Sequence, residues 1–205
     1  MKKTIPDKRI GHPVTGYGYG HMFSPDARTH IARLLTDLKG QFPEVLWPMP
    51  LQTLHITLCE ISKPEEDAAK EIAYFKTHQK EFGLVPEKVL HDLPPFSVRF
   101  DKILATPHAI IIQGFDNGSF TAIRKQLEER LPLPDGMTPP DIIHSTIARY
   151  TAEFDLDKIK SIIARYSVSF EEQINEFDLV KTLVRPAQKI EILKKYHLKN
   201  SAMVA

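Results

Sequence analysis

The sequence predicts an α+β protein of two similar lobes, with antiparallel sheets lining a central cleft and helices on the outer faces. Segments of alternating hydrophobicity, typical of strands, are interleaved with segments whose apolar residues recur at helical spacing. The same order of elements occurs over residues 16–105 and again over residues 109–196, which indicates a duplication. With 205 residues, we expect one domain over residues 16–196, between an N-terminal arm at 1–15 and a frayed tail at 197–205.

The first repeat begins with a segment that alternates strictly. This segment predicts a strand in which Tyr17 and Tyr19 share one face, where core packing is favoured over contact with a ligand. Ser24 and Pro25 then have the residue types of a helix N-cap and a first helical position. The predicted order is strand, helix, proline-rich loop, strand, helix and strand, at residues 16–23, 24–40, 43–50, 54–59, 64–82 and 96–104.

The second repeat follows the same order and ends in an additional strand. Asn117 and Gly118 predict a turn into a helix with apolar residues at helical spacing. The predicted order is strand, helix, proline-rich loop, strand, helix and two strands, at residues 109–113, 117–131, 132–140, 142–148, 155–166, 172–184 and 189–196.

Composition and charge restrict the function classes. The formal net charge is +1, from 27 basic and 26 acidic residues, which excludes a protein that binds long duplex nucleic acid by bulk charge. Cys59 is the only cysteine, so the sequence favours a reducing, cytoplasmic compartment. It contains neither the apolar run of a signal peptide nor a membrane-spanning stretch of about 18 apolar residues. We therefore expect a cytoplasmic monomer, with no membrane association and no obligate protein partner.

Two His-x-Thr segments, one in each repeat, are the most informative feature. His55 precedes Thr57, and His144 precedes Thr146, each within an apolar strand. Residues two apart in a strand point to the same face, so each histidine projects together with its threonine. If the two repeats face each other, both pairs converge on one cleft.

Two imidazoles and two hydroxyls suit phosphoester chemistry. One neutral imidazole can take a proton from water or a hydroxyl group, while the other, protonated, gives a proton to the leaving oxygen. The threonine hydroxyls can donate hydrogen bonds to phosphate oxygens. This chemistry requires no metal ion and no cofactor.

Two His-x-Thr motifs in a duplicated α+β chain resemble the 2H phosphoesterase superfamily, which includes bacterial 2′-5′ RNA ligases and 2′,3′-cyclic nucleotide phosphodiesterases. The resemblance covers residues 16–196 and rests on the two motifs. It implies that His55 and His144 are the acid/base pair and that Thr57 and Thr146 hold phosphate. The implied substrate is a 2′,3′-cyclic phosphate or a 2′-5′ linkage of a nucleotide or RNA end.

The second motif continues to an arginine, as is common in the RNA ligase branch, and this resemblance implies Arg149 as a further phosphate ligand. Simple alternation places Arg149 opposite His144, so a bulge, a strand end or a long reach is required. The first motif has Glu60 where such an arginine would be sought. Tyr150, on the His144 face by alternation, is expected either to stack on a base or ribose or to pack between the lobes. Lys181 and Arg185, in a late strand, are expected either to add positive potential near a phosphate or, as is more common, to be solvated surface charges.

Two other functions remain open from the sequence. The same fold could bind RNA or a nucleotide without turnover, although both histidines and both threonines are intact. A metal-dependent hydrolase is the other alternative, but neither motif has a carboxylate or third histidine at ligand spacing. The sequence therefore favours an enzyme without a metal site.

Overall fold

The computed structural model describes residues 2–65 and 68–199. Along this part of the chain, strands β1–β9 lie at Pro13–Met22, Leu46–Pro48, His55–Glu65, Phe96–Ala105, Ala109–Phe115, Ile143–Tyr150, Phe170–Ile174, Glu176–Val184 and Lys189–His197. Helices α1–α5 lie at Pro25–Gln41, Ala68–Thr77, Gln79–Leu90, Ser119–Arg130 and Leu156–Ile163, and a short 3-10 helix lies at Leu51–Thr53. None of the described helices is both long and apolar enough to cross a membrane.

The strands form two antiparallel sheets. The first sheet has the order β3-β1-β8-β9, and the second has the order β2-β6-β5-β4-β7. Every pair of neighbouring strands is antiparallel. This arrangement confirms the predicted α+β class with antiparallel sheets.

Each sheet takes strands from both predicted repeats, so the two lobes differ from the two halves of the chain. β8 and β9, from the second repeat, complete the sheet that contains β1 and β3. From the first repeat, β2 pairs with β6, and β4 pairs with β5 and β7. The boundaries 16–105 and 109–196 therefore do not coincide with the sheets, because the β4–β5 and β8–β9 hairpins carry strands across. A pattern of element order does not reveal such an exchange.

The single helix predicted over residues 64–82 is corrected to two helices. β3 continues to Glu65, residues 66–67 of the predicted first turn lie outside the described residues, and α3 runs past Gly83 through Pro86. Proline has no N–H to donate to the carbonyl four residues earlier, that of Phe82. That carbonyl instead accepts hydrogen bonds from the hydroxyls of Tyr19, at 2.7 Å, and Tyr196, at 3.1 Å. Packing against the first sheet thus offsets the helix-breaking residue.

The ends of the predicted domain are more ordered than expected. β1 begins at Pro13, inside the predicted arm, and Thr4 is buried. Leu198 in the predicted tail is also buried, whereas residues 200–205 lie outside the described residues. The strand predicted over 172–184 is two strands in different sheets, β7 and β8, because the chain changes sheets at Asn175.

A buried polar cluster joins the two sheets. His21 of β1 contacts the Glu172 carboxylate of β7 through Nε2, at 2.8 Å, and the carbonyl of Glu176 through Nδ1, at 2.9 Å. Ser24 donates from both its main-chain N–H and its hydroxyl to the same carboxylate. Burial alone would raise the pKa of Glu172, but these hydrogen bonds outweigh it and lower the pKa. Because β1 and β7 belong to different sheets, the cluster fixes their relative position.

Candidate active site

β3 and β6 bring the two His-x-Thr motifs to one cavity. His55 and Thr57 from β3 line it together with His144 and Thr146 from β6. The cavity has a volume of about 380 Å³. All four side chains are half-buried, so they can contact a ligand while being shielded from bulk water.

The two histidine rings are held in the same way. Nδ1 of His55 lies 2.8 Å from the carbonyl oxygen of Thr53, and Nδ1 of His144 lies 3.4 Å from that of Ile142. In each case the partner is two residues earlier in the chain. A carbonyl oxygen only accepts, so Nδ1 carries the proton in both rings and Nε2 is the nitrogen available for proton transfer.

Both imidazoles are shifted toward the neutral form. Burial lowers the pKa of His55, although the hydrogen bond to Thr53 acts in the opposite direction. Burial also lowers the pKa of His144, with additional contributions from the charges of Arg124, His55 and Arg149. At neutral pH either ring can therefore act as a base, and a bound phosphate anion would favour protonation of one of them.

A β-bulge brings Arg149 to the cavity. Consecutive residues of β5 pair with Thr146 and Ala148, which leaves Ile147 as an extra residue in β6. Ile147 and Ala148 are both buried, so Arg149 returns to the face of His144. Arg149 accordingly lines the cavity, and the bulge is one of the three ways in which it was expected to reach the face of His144.

The same bulge turns Tyr150 away from the cavity. Tyr150 is fully buried in the core and does not line the cavity, so the expectation of stacking on a base or ribose is corrected. Its hydroxyl has no hydrogen-bond partner among the described residues. Alternation failed at this position because the bulge reverses the inward and outward sides after Thr146.

Arg124 ties the first motif to helix α4. This α4 side chain donates from Nη2 to the carbonyl of Thr57, at 2.7 Å, and from Nε to that of Leu58, at 3.1 Å. Burial lowers the pKa of Arg124 to about 10, which leaves it charged at neutral pH. Sequence reasoning missed this residue, because one arginine on an amphipathic helix carries no signal of a buried position.

Three further basic residues at the cavity did not follow from the motifs. Arg9 comes from the N-terminal arm, Lys63 from β3, and Arg185 from the turn after β8. Of the two alternatives expected for Arg185, the solvated surface charge is corrected, since its side chain is mostly buried and lines the cavity. Glu60 lines the same cavity, and burial raises the pKa of its carboxyl despite the opposing charges of Lys63 and Arg185.

Cys59, next to the first motif, is a buried free thiol. Burial raises the pKa of this thiol to about 12, so it is not a nucleophile at neutral pH. Among the described residues, no group of three or more histidine, cysteine, aspartate or glutamate side chains is arranged to hold a metal ion.

Comparison with solved structures shows the fold. The E. coli LigT structure complexed with 3′-AMP superposes with a TM-score of 0.64 at 16% identity, covering 91% of this chain and 98% of that chain. TT0787 of Thermus thermophilus has a TM-score of 0.63 at 18% identity, covering 91% of this chain and 99% of that chain. E. coli LigT complexed with phosphate has a TM-score of 0.61 at 16% identity, with coverages of 91% and 99%.

Comparison with family sequences agrees with the fold. A search against curated proteins finds no match. The family model of the 2′-5′ RNA ligase superfamily matches residues 23–185, a range that contains both His-x-Thr motifs. With the two motifs at one cavity and the fold shared with LigT, the chain belongs to the 2′-5′ RNA ligase superfamily of 2H phosphoesterases.

Proposed function

We propose that the protein is a metal-independent phosphoesterase that hydrolyses a 2′,3′-cyclic phosphate or a 2′-5′ linkage of a nucleotide or RNA end. The observation that carries this proposal is the matched orientation of His55 and His144 at one cavity. Each ring donates Nδ1–H to the main chain and keeps Nε2 for a ligand. Paired acid/base catalysis needs two rings arranged in this way.

In the proposed reaction, a water oxygen attacks the phosphorus and gives its proton to Nε2 of one neutral imidazole. The bond between phosphorus and the leaving ribose oxygen breaks, and the second imidazole, protonated, gives its proton to that oxygen. Thr57, Thr146 and Arg149 donate hydrogen bonds to the non-bridging oxygens, which carry the developing charge. The product is a phosphomonoester from a cyclic phosphate, or two separate fragments from a 2′-5′ linkage.

The structural neighbours support a nucleotide as the ligand. E. coli LigT has been crystallised with 3′-AMP and with phosphate. The cavity in this chain is lined by more basic than acidic side chains, which suits an anionic ligand. Its volume of about 380 Å³ lies within the range of small-molecule sites.

The test is turnover of nucleoside 2′,3′-cyclic phosphates and a 2′-5′-linked dinucleotide in the presence of EDTA. We expect wild-type turnover and its loss in the double variant His55→Ala, His144→Ala. His108→Ala, at an exposed histidine outside the cavity, is the matched control and should retain activity.

Two outcomes would replace this proposal. Equal nucleotide binding by wild type and the double variant, with no turnover by either, would identify a non-catalytic binding module. Activity that EDTA abolishes and a divalent metal restores would identify a metal-dependent hydrolase.

A further inference from the structure

We propose that Arg9 and Arg185, held by Asp7, form a second anion-binding subsite for another phosphate group of the same substrate. This inference rests on the proposed function, because it assigns the scissile phosphate to the two His-x-Thr motifs. Both arginines line the same cavity as the motifs but come from other elements. The subsite would select nucleotides that carry a second phosphate close to the scissile one.

The N-terminal arm is fixed in place beside the cavity. The main-chain N–H of Thr4 donates to the carbonyl of Phe154, at 2.9 Å, and that of Ile5 donates to Pro107, at 2.7 Å. The main-chain N–H of Asp7 donates to the carbonyl of Tyr150, at 2.9 Å. Asp7 therefore lies beside the end of β6, where Arg149 is found. Three hydrogen bonds within four residues make the arm a preorganised wall of the cavity.

The arm also pairs with the turn that carries Arg185. The main-chain N–H of Gly11 donates to the carbonyl of Arg185, at 2.8 Å, and the N–H of Arg185 donates to that of His12, at 3.0 Å. Gln188 donates from its side chain to the same Arg185 carbonyl, at 2.7 Å. The part of the arm that follows Arg9 is thus bound to the backbone of Arg185, and both arginine side chains line the cavity.

Asp7 contacts both Arg9 and Arg185. Its Oδ1 accepts the main-chain N–H of Arg9, at 3.1 Å, and lies 3.6 Å from Nε of Arg185. Its side chain is only 10% exposed. Burial lowers the pKa of the Arg149 guanidinium, and the charge of Asp7 acts against this shift. We infer that Asp7 positions Arg9 and Arg185 at the cavity.

The guanidinium groups of Arg149 and Arg185 are not fully satisfied by the protein. The Nε atoms of both are buried and have no hydrogen-bond partner among the described residues, and Oδ2 of Asp7 is in the same condition. Buried polar atoms normally have partners, and arginine side chains that line a cavity commonly bind oxyanions through their other N–H groups. Lys63 adds a fourth positive charge to the cavity, whereas Glu60 is the carboxylate in the lining.

A second anion fits better than the scissile phosphate alone. Thr57, Thr146 and Arg149 already offer donors to the scissile phosphate. The cavity volume of about 380 Å³ exceeds what one phosphate group occupies and is in the range of whole small-molecule ligands. A phosphate placed near Arg9 and Arg185 would be part of the same ligand.

The test compares adenosine 2′,3′-cyclic phosphate with and without a 5′-phosphate, measured as KM and kcat separately. In the wild type we expect the 5′-phosphate to lower KM about tenfold, the effect of one charge-assisted arginine contact. Arg185→Gln and Arg9→Gln should each reduce this ratio toward one. Asp7→Asn should also reduce it while both arginines remain, and Arg99→Gln, at an exposed pair with Asp101, should not.

A wild-type ratio of one would overturn the inference, as would an equal loss with both probes in Arg185→Gln. Binding of adenosine 3′,5′-bisphosphate and 3′-AMP by calorimetry separates this inference from the proposed function. Preference for the bisphosphate that Arg185→Gln removes, without turnover of either cyclic probe, would support the subsite and contradict the phosphoesterase. Turnover of the cyclic probes without any preference for the bisphosphate would support the phosphoesterase and contradict the subsite. Thermal unfolding checks that each variant is folded.

Discussion

The two His-x-Thr strands share their backbone geometry but differ in the charge of the residue that lies three places after the threonine. In β6 the extra residue of the bulge is Ile147, directly after Thr146. In β3, Gly20 pairs with Thr57 while the preceding residue of β1 pairs with Cys59, so the extra residue follows the threonine here too. The bulge brings the residue three places after each threonine to the cavity. This residue is Glu60 in β3 and Arg149 in β6.

This difference shows that two strands with the same local geometry form an asymmetric site. The bulges and the histidine hydrogen bonds are common to both strands, so both sides can transfer protons. The guanidinium on one side attracts phosphate, whereas the carboxylate on the other repels it and can accept from a ribose hydroxyl or a base amino group. We therefore expect the scissile phosphate to lie nearer Arg149 of β6 than Glu60 of β3.

The largest expected effect tests what the two strands have in common. His55→Ala and His144→Ala should each lower kcat/KM by about 10²–10⁴-fold, since each removes one proton-transfer role. Thermal unfolding should change little, because both side chains are half-buried at the cavity edge. Wild-type turnover by either single variant would show that its ring takes no part in the chemistry.

Arg149→Gln tests the difference on the β6 side. We expect kcat/KM to fall by about 10–100-fold, the loss of a charge-assisted hydrogen bond to phosphate. Arg99→Gln is the matched control on an exposed strand position. An Arg149→Gln enzyme as active as the control would mean that the bulge serves only the packing of β6.

The pH profile tests whether both rings act together. Catalysis needs one neutral and one protonated imidazole, so kcat/KM should be bell-shaped and fall about tenfold per pH unit on each side. Each lowered pKa means that the ring loses its proton at lower pH than free imidazole. The maximum should therefore lie below about pH 6.5. A maximum above about pH 7, or a monotonic profile, would contradict this assignment.

Glu172→Gln tests the polar cluster that joins β1 to β7, and so joins the two sheets that carry the His-x-Thr strands. Losing the charged hydrogen bonds to His21 and Ser24 should lower the free energy of unfolding by about 1.5–3 kcal/mol. Because the folded pKa of Glu172 is lowered, its contribution is present above the ordinary carboxyl pKa and is lost as pH falls through the folded pKa. Chemical denaturation at several pH values should show that the free energy of unfolding falls less steeply with acidification in the variant than in the wild type.

Glu60→Gln is expected to have the smallest effect. Removing the carboxylate reduces repulsion of phosphate, so KM for a cyclic nucleotide should fall by roughly two- to threefold with kcat little changed. Steady-state kinetics at low salt measures this change. A large loss of kcat would instead place Glu60 in proton transfer and end the assignment of both roles to histidine.

Local pattern was sufficient for much of the fold and for the centre of the site. The alternation around His55 and His144 predicted two strands, and the apolar periodicity predicted α1 and α4 close to their observed bounds. It failed where distant contacts compensate an unfavourable residue. Pro86 continues a helix because two tyrosine hydroxyls satisfy the carbonyl it leaves unpaired. Tyr150 was misplaced because a bulge has no local signature in an apolar strand.

The sequence by itself determined that the protein has two His-x-Thr strands in an α+β fold, since side-chain alternation depends only on neighbouring residues. Tertiary structure decided which strands share a sheet, that Arg149 faces the cavity, and that Arg9 and Arg185 join it. The physical reason is that these features depend on pairings between residues far apart in the chain. The hydrogen bonds between Gly11, His12 and Arg185 illustrate this, because they bring a terminal arm to a site made by β3 and β6.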